Sequence, residues 1–370
     1  MKINGPKAYI DSSRLEKNIS KIKIHIGLKN IMFVVKANGY GHGSINIVSS
    51  LSKTNPGMIF CVFSINEALD LRKSGIKNNI LIFSKLQPDW INLAVDYNLW
   101  INASDMSDLN ILVKFYNKYQ SCPKIHLEFD TGMTRSGFNY YEDEKVFNYI
   151  YKHSFLPIEG IYSHFATADE GDLTYADYQL KEFKRILKVA ESFSISLKYI
   201  HCSNSGSILN ISDSYFNTVR VGMLAYGVSP SKDVDMHIDV EPVMSFCGPI
   251  VSLREVRENT QISYGGVYKT KQRSNIAVIQ TGFADGLSRE WFKDGYISYK
   301  GNYYKIAGRI CMDQFMVDFG EIVPKIGDEV LMFGKKGLDS IPIEVIADTI
   351  DTTTYSLLTA VGGRTEYILQ

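Results

Sequence analysis

Between residues 31 and 228 the chain repeats one pattern eight times: a short apolar run, then a polar or amphipathic stretch. The runs are IMFVVK (31–36), MIFCVF (58–63), NILIF (79–83), LWINA (99–103), KIHLEFD (124–130), IEGIYSHF (158–165), LKYIHCS (197–203) and NTVRVG (217–222). They are short and rich in Ile, Val and Phe, which favours strands over helices. Between them lie helix-like stretches such as INEALDLRKSG, where Ser64 can N-cap and Gly75 can end the helix, and YADYQLKEFKRILKVAESF at 175–193. Strands alternating with helices predict βαβ units and a parallel sheet. Eight of them predict an α/β fold, an N-terminal (β/α)8 barrel of the TIM type, with reactive groups at the strand C-termini. A doubly wound open sheet is the competing architecture, and periodicity alone does not separate the two.

After about residue 235 the texture changes. MSFCGPIVSLREV, NIAVIQTGF, GYISYKGNYYKIAGRICMDQFMVDFG and DEVLMFG alternate with Gly and Pro turns, which predicts a mainly β second domain. KAYID at 7–11 is one more short strand that could join either part. The expected division is a strand within 1–10 packing with the C-terminal domain, a barrel over 11–235 and a β domain over 236–370. A chain of 370 residues is long enough for two domains of roughly 100–200 residues each.

Lys+Arg and Asp+Glu are both 40, so no basic stripe points to nucleic acid. Cys61, Cys122, Cys202, Cys247 and Cys311 are scattered and form no CxxC pair, which argues against a disulfide framework and a zinc site. The N-terminus shows no secretion signal and no apolar run spans a bilayer, so a cytoplasmic protein is expected, with no metal.

On the barrel reading the chemistry-bearing residues collect at strand ends. Lys36 ends the first strand; Asp130 and Arg135, in DTGMTR, follow the fifth; His164 ends the sixth. Ser203, Asn204 and Ser205 follow the seventh, and Arg220 and Gly222 end the eighth. Each alone has an ordinary explanation, but surface charges have no reason to cluster at one face. SNSGS opens a short helix-like segment and RVGM supplies backbone N–H groups beside a glycine, in the loops where barrels often bind phosphate. The glycines around Tyr40 let the first loop pass close to the same ligand. A phosphorylated small molecule beside a lysine suggests pyridoxal 5'-phosphate held as a Schiff base.

Nearly the whole chain resembles the alanine racemases. The motifs stand in order: VVKANGYGHG, DTGMTRSG, SHFATAD, HCSNSGS, VRVGMLAYG, ISYGGVY, GFADG, GRICMDQF and TTTYSLLTAVGGR. The resemblance implies a homodimer that interconverts L- and D-alanine with pyridoxal phosphate, supplying D-alanine for peptidoglycan in a bacterium. It implies that Lys36 carries the cofactor and is one catalytic base. Tyr264 would be the other, reaching in from the partner subunit. Tyr40, Ser205, Gly222, Met223 and Tyr355 would hold the phosphate. Arg135, and Met312 of the partner subunit through its backbone N–H, would bind the substrate carboxylate. Arg220 would face the pyridine nitrogen, with His164 linking it to Tyr264. A guanidinium keeps its proton, so this nitrogen would stay unprotonated and the ring a weaker electron sink. Cys311 has no covalent role in such chemistry, and Asp130 reads as a structural hydrogen-bond partner.

Two positions depart from the family pattern. Glu128 stands where many members carry a carbamylated lysine, and the expectation is that it orients Arg135 through a charge-assisted bond. Phe283, in GFADG, replaces a tyrosine at the substrate entrance, which weakens the case for strict preference for alanine; a serine or broad-specificity racemase is the alternative function. A cofactor carrier would have no use for a second base, and a decarboxylase would want a carboxylate in place of Arg220.

Overall fold

The computed structural model describes residues 5–370, so residues 1–4 of the expected N-terminal strand segment lie outside it. Strand β1 (Lys7–Ile10) is followed by eight parallel barrel strands and one short extra strand. These are β2 (Asn30–Val34), β3 (Ile59–Val62), β4 (Ile80–Ile82), β5 (Trp100–Ala103), β6 (Ile125–Asp130), the short β7 (Phe138–Asn139), β8 (Ile158–Tyr162), β9 (Tyr199–His201) and β10 (Thr218–Val221). The neighbour order β10-β2-β3-β4-β5-β6-β8-β9 is that of a barrel, and β7 hangs on β6. The Arg220 N–H donates to the Ser203 carbonyl at 3.1 Å where the last strand meets the segment after β9, bringing the sheet nearly to closure. The eight apolar runs therefore become the eight barrel strands. They are apolar throughout because each is covered on both faces.

The surrounding helices follow the same logic. Ser64 caps Ile65–Lys73, and Glu67 completes a reciprocal capping box. The helix Thr174–Ser192 buries Ala176, Leu180, Phe183, Ile186 and Ala190, one face at helical spacing. Phe33, Phe60, Trp100 and Phe129 fill the barrel and its rim as fully buried side chains.

The second sheet gathers β11 (Met244–Val256), β14 (Ser274–Ile279), β15 (Tyr296–Tyr299), β16 (Asn302–Ile306), β17 (Phe315–Asp318), β18 (Glu329–Lys336), β19 (Asp339–Ile341) and β20 (Glu366–Leu369). A small ribbon, β12 (Gln261–Ile262) with β13 (Tyr268–Lys269), stands apart and carries Tyr264 in its turn. β1 lies between β11, antiparallel, and β20, parallel, so the first strand of the chain belongs to the C-terminal sheet. Asn18 links the parts further: its Nδ2 donates to Ala225 O (3.0 Å) and Glu241 O (2.8 Å). The β domain also carries two short helices, Ile343–Thr349 and Thr354–Ala360, which the strand-rich texture of the region conceals. Among the described residues no helix is long and apolar enough to cross a membrane.

Candidate active site

The C-terminal ends of the barrel strands surround a cavity of about 420 Å³, within the size range of small-molecule sites. Lys36, Tyr40, His164, Ser205, Arg220, Gly222, Met223, Tyr355 and Arg135 all line it. Nine residues from distant parts of the sequence thus meet at one face. A second cavity, about 470 Å³, lies between barrel and β domain against His42, Tyr226 and Leu358. It has no arginine in its lining, whereas the first cavity brings Lys36 together with Arg135 and Arg220.

Lys36 does not end its strand as the sequence suggests. β2 stops at Val34, and Lys36 begins a turn in which Ala37 (φ 52°), Asn38 (φ 54°), Gly39 (φ 64°), Tyr40 (φ 51°) and Gly41 (φ 79°) are all left-handed. Three of these are not glycine; Ala37 and Tyr40 each cost roughly 1–2 kcal/mol there, and Asn38 less, since its short polar side chain tolerates this backbone. Bonds hold the turn in place: Gly39 N–H to Val35 O (2.9 Å), Gly41 N–H to Ala37 O (3.0 Å) and Gly43 N–H to Asn38 O (2.9 Å). His42 Nδ1 adds contacts to Tyr40 O (2.9 Å) and Gly39 O (3.1 Å). The turn points the Lys36 amine into the cavity, where burial first, then the Arg135 and Arg220 charges, lower its pKa.

Arg220 is 4 % exposed and heavily bonded. Nη1 donates to His201 O (2.9 Å) and reaches His201 Nδ1 (3.0 Å). Nη2 donates to Ser163 O (2.8 Å) and Cys202 O (3.2 Å) and reaches His164 Nδ1 (3.1 Å). A guanidinium can only donate, so both histidines accept through Nδ1 and are neutral. Burial, and then the Arg220 charge, accordingly hold His164 and His201 well below the usual histidine range. His201 Nε2 then faces His126 Nδ1 at 2.9 Å, extending the chain behind the arginine. Sequence reasoning missed this pair; HCS was in view, but nothing in it says which way His201 turns.

At the opposite end, Tyr40 and Tyr355 approach ring to ring (5.9 Å). Burial raises the pKa of Tyr40, and burial followed by the Asp169 charge pushes Tyr355 up to about 12, so both phenols keep their protons as donors. Ser205 Oγ accepts from Leu224 N–H (3.2 Å) and Gly222 N–H (3.4 Å). A Cβ on Gly222 would stand 2.9 Å from the Tyr40 hydroxyl, so glycine leaves the space between serine and tyrosine open. Asp130 Oδ1 accepts from Gly132 N–H (2.9 Å) and Thr134 N–H (3.0 Å), a turn-stabilising role that matches the expectation for it.

Tyr264 and Met312 are not brought to this cavity within one chain. They are 66 % and 56 % exposed, and Phe283 is 40 % exposed. The expected bond between Glu128 and Arg135 is not made either. Glu128 is 5 % exposed and its Oε2 accepts from Asn102 Nδ2 at 2.9 Å, while Arg135 stands exposed on the loop after β6 and forms no ion pair among the described residues. The neighbouring strand β5 supplies Asn102, a buried partner inside the barrel at hydrogen-bond distance from Glu128.

Barrel, appended β domain and a lysine–arginine cavity with a pair of protonated phenols define a two-domain barrel enzyme. Sequence models described as "Alanine racemase, N-terminal domain" and "Alanine racemase, C-terminal domain" match residues 10–230 and 243–369. The alanine racemase of Desulforamulus reducens is 35 % identical over 361 residues, covering 96 % of each chain. That of Methanococcus maripaludis is 36 % identical over the same length and coverage. The solved alanine racemase of Streptomyces lavendulae superposes with a TM-score of 0.92 at 27 % identity, covering 100 % of this chain and 98 % of that one. That of Clostridium difficile 630 gives 0.91 at 28 %, covering 99 % and 96 %. The chain belongs to the alanine racemase family and is an amino-acid racemase.

Proposed function

We propose that the chain is a cytoplasmic, homodimeric, pyridoxal-phosphate-dependent racemase of alanine that works with two bases, and that in a bacterium its D-alanine serves peptidoglycan. The observation that carries this is one cavity holding a lysine of lowered pKa at one side, an unyielding cation at another and two protonated phenols at a third.

The residues fit the cofactor. Tyr40, Ser205, Gly222, Met223 and Tyr355 would hold its phosphate, in the space a side chain at position 222 would fill. Among the described residues the Arg220 Nε makes no hydrogen bond, although both Nη atoms are committed to the protein, so a donor remains for the ring nitrogen. Pyridoxal phosphate, when bound, supplies an aldehyde for an amine and a ring that draws electron density from the substrate Cα.

The chain's own residues do the rest. Burial and the two guanidiniums lower the pKa of Lys36, so its amine sheds the ammonium proton more readily than a free lysine and could take the Cα proton on one face. Tyr264 of the other copy would hold or return a proton on the opposite face, which explains why this tyrosine stands 66 % exposed on a lone turn. Arg135 and the Met312 N–H of the other copy would grip the carboxylate and keep Cα between the two bases. His164, neutral, would pass the influence of Arg220 to Tyr264. On this reading the barrel of residues 11–235 carries the cofactor, and the β domain of 236–370, joined by the strand in 1–10, is the arm that completes a neighbour's site. The test is the visible absorbance of the purified protein with pyridoxal phosphate, followed by racemisation assays across L-amino acids. A lysine-bound cofactor band with racemisation of L-alanine supports the reading; no band, or a band without racemisation, refutes it.

A further inference from the structure

Glu67 completes a capping box, but its carboxylate also reaches beyond its own helix. It lies in the first turn of the helix Ile65–Lys73, and its Oε2 accepts the N–H groups of Phe63 (2.8 Å) and Ser64 (3.0 Å). Capping requires no more than that. Yet Oε1 of the same carboxylate accepts the Ala37 N–H at 2.7 Å, from a different βα loop. Ala37 adjoins Lys36 and is the first of the five left-handed residues. A strained conformation of this kind persists only where its surroundings hold it. A carboxylate bond to the peptide between Lys36 and Ala37 supplies such a restraint at the point where the chain leaves the ordinary conformation.

The same carboxylate bears on the Lys36 amine. Across the cavity Lys36 faces Arg135 from the loop after β6, Arg220 from β10 and Cys61 from β3, with Glu128 from β6 and His164 after β8 on the same walls. Cys61 is held as a neutral thiol, its pKa pushed up to about 12 by burial. Burial, Arg135 and Arg220 disfavour an ammonium at Lys36, and Glu67 opposes them.

We propose that Glu67 is a positioning residue for Lys36, clamping the start of the left-handed turn and setting a negative charge against the two guanidiniums around the Lys36 amine. The role of Lys36 rests on the reading above; the clamp on its turn does not. In Glu67→Gln the side chain keeps its length, loses its charge and turns an amide N–H toward one of the two loops.

The test compares the holoenzymes of wild type, Glu67→Gln and Ser64→Ala. Ser64→Ala removes the other half of the capping box and leaves the Ala37 contact intact. Hydrogen exchange of the segment spanning Lys36 to Gly41 should speed up roughly tenfold in Glu67→Gln, as for a lost bond to a charged acceptor. The acid limb of the kcat–pH profile should move to lower pH by on the order of half a unit, because loss of a negative charge disfavours the ammonium. Ser64→Ala should lower stability and move neither. Unchanged exchange in Glu67→Gln, an unmoved acid limb, or the same changes in Ser64→Ala would each overturn the proposal. Borohydride trapping of the cofactor on a lysine other than Lys36 would instead defeat the reading of Lys36, and the clamp would then stand or fall on exchange alone.

Discussion

Gly41→Ala probes the contact that joins the lysine turn to the β domain. Gly41 closes the left-handed run at φ 79°, and a Cβ built there would lie 2.1 Å from Leu358 O and 2.9 Å from Leu358 C. A left-handed alanine costs roughly 1–2 kcal/mol. The overlap is with backbone, so no rotamer change relieves it, and forced separation of packed elements adds about 1–3 kcal/mol. Leu358 belongs to the helix Thr354–Ala360, which also bears Tyr355, and the turn bears Tyr40. Separation by even an ångström would therefore part the two phenols assigned to the phosphate. Urea denaturation should show a loss of about 3 kcal/mol, with pyridoxal phosphate released more readily from the variant. Gly75→Ala is the control: its φ is 87°, but a Cβ there meets nothing within 4 Å, so it should cost about 1 kcal/mol and leave cofactor binding alone. Equal losses in the two variants would refute the close approach.

Lys36→Ala and Tyr264→Phe should each abolish most racemisation, yet mixing the unfolded variants and refolding them together should restore up to about a quarter of the wild-type sites, since in the proposed homodimer half the pairs would be mixed and each would have one intact site; no recovery would count against a shared site. Arg220→Glu should raise the ratio of transamination to racemisation, measured as pyruvate released per alanine racemised. Four histidines bear on acid stability: His42, His126 and His201 are buried and His164 is half-buried. Burial is the leading cause that lowers His42 to about 4 and His126 to about 3, and it holds His164 and His201 well below 6.5. The unfolded chain protonates them near pH 6.5 while the folded chain does not, so their neutral form stabilises the fold above that pH and stability falls as pH drops toward about 4. Unfolding at pH 5 should then take up about four protons from these groups, and uptake of fewer than two would contradict the assignment.

The barrel was legible because eight apolar runs of strand length recur with helical stretches between them, and full burial on both faces writes itself into composition. Lys36, Arg220 and Tyr355 were legible through their motifs and meet in one cavity. The lysine turn was not: Asn38 and the glycines accept a left-handed backbone, but no local rule suggests one for Ala37 and Tyr40, and it takes Glu67, His42 and Leu358 from outside to impose it. Glu128 shows the same limit. Its charge suggested Arg135 as partner, but the partner is Asn102 on the adjacent strand, and strand adjacency depends on register rather than on charge. The helices at Ile343–Thr349 and Thr354–Ala360 are only 7 residues each, too short for a helical period to stand out among strands.

The central claim is removal of the alanine Cα proton on one face and its replacement on the other by this chain with pyridoxal phosphate. The measurement is conversion of L-alanine by the holoenzyme in D2O, followed by chiral separation and mass analysis of the D-alanine formed in the first turnovers. The account expects D-alanine carrying deuterium at Cα, formed by wild type and lost in Lys36→Ala. No D-alanine, or equal rates in the two proteins, would contradict it.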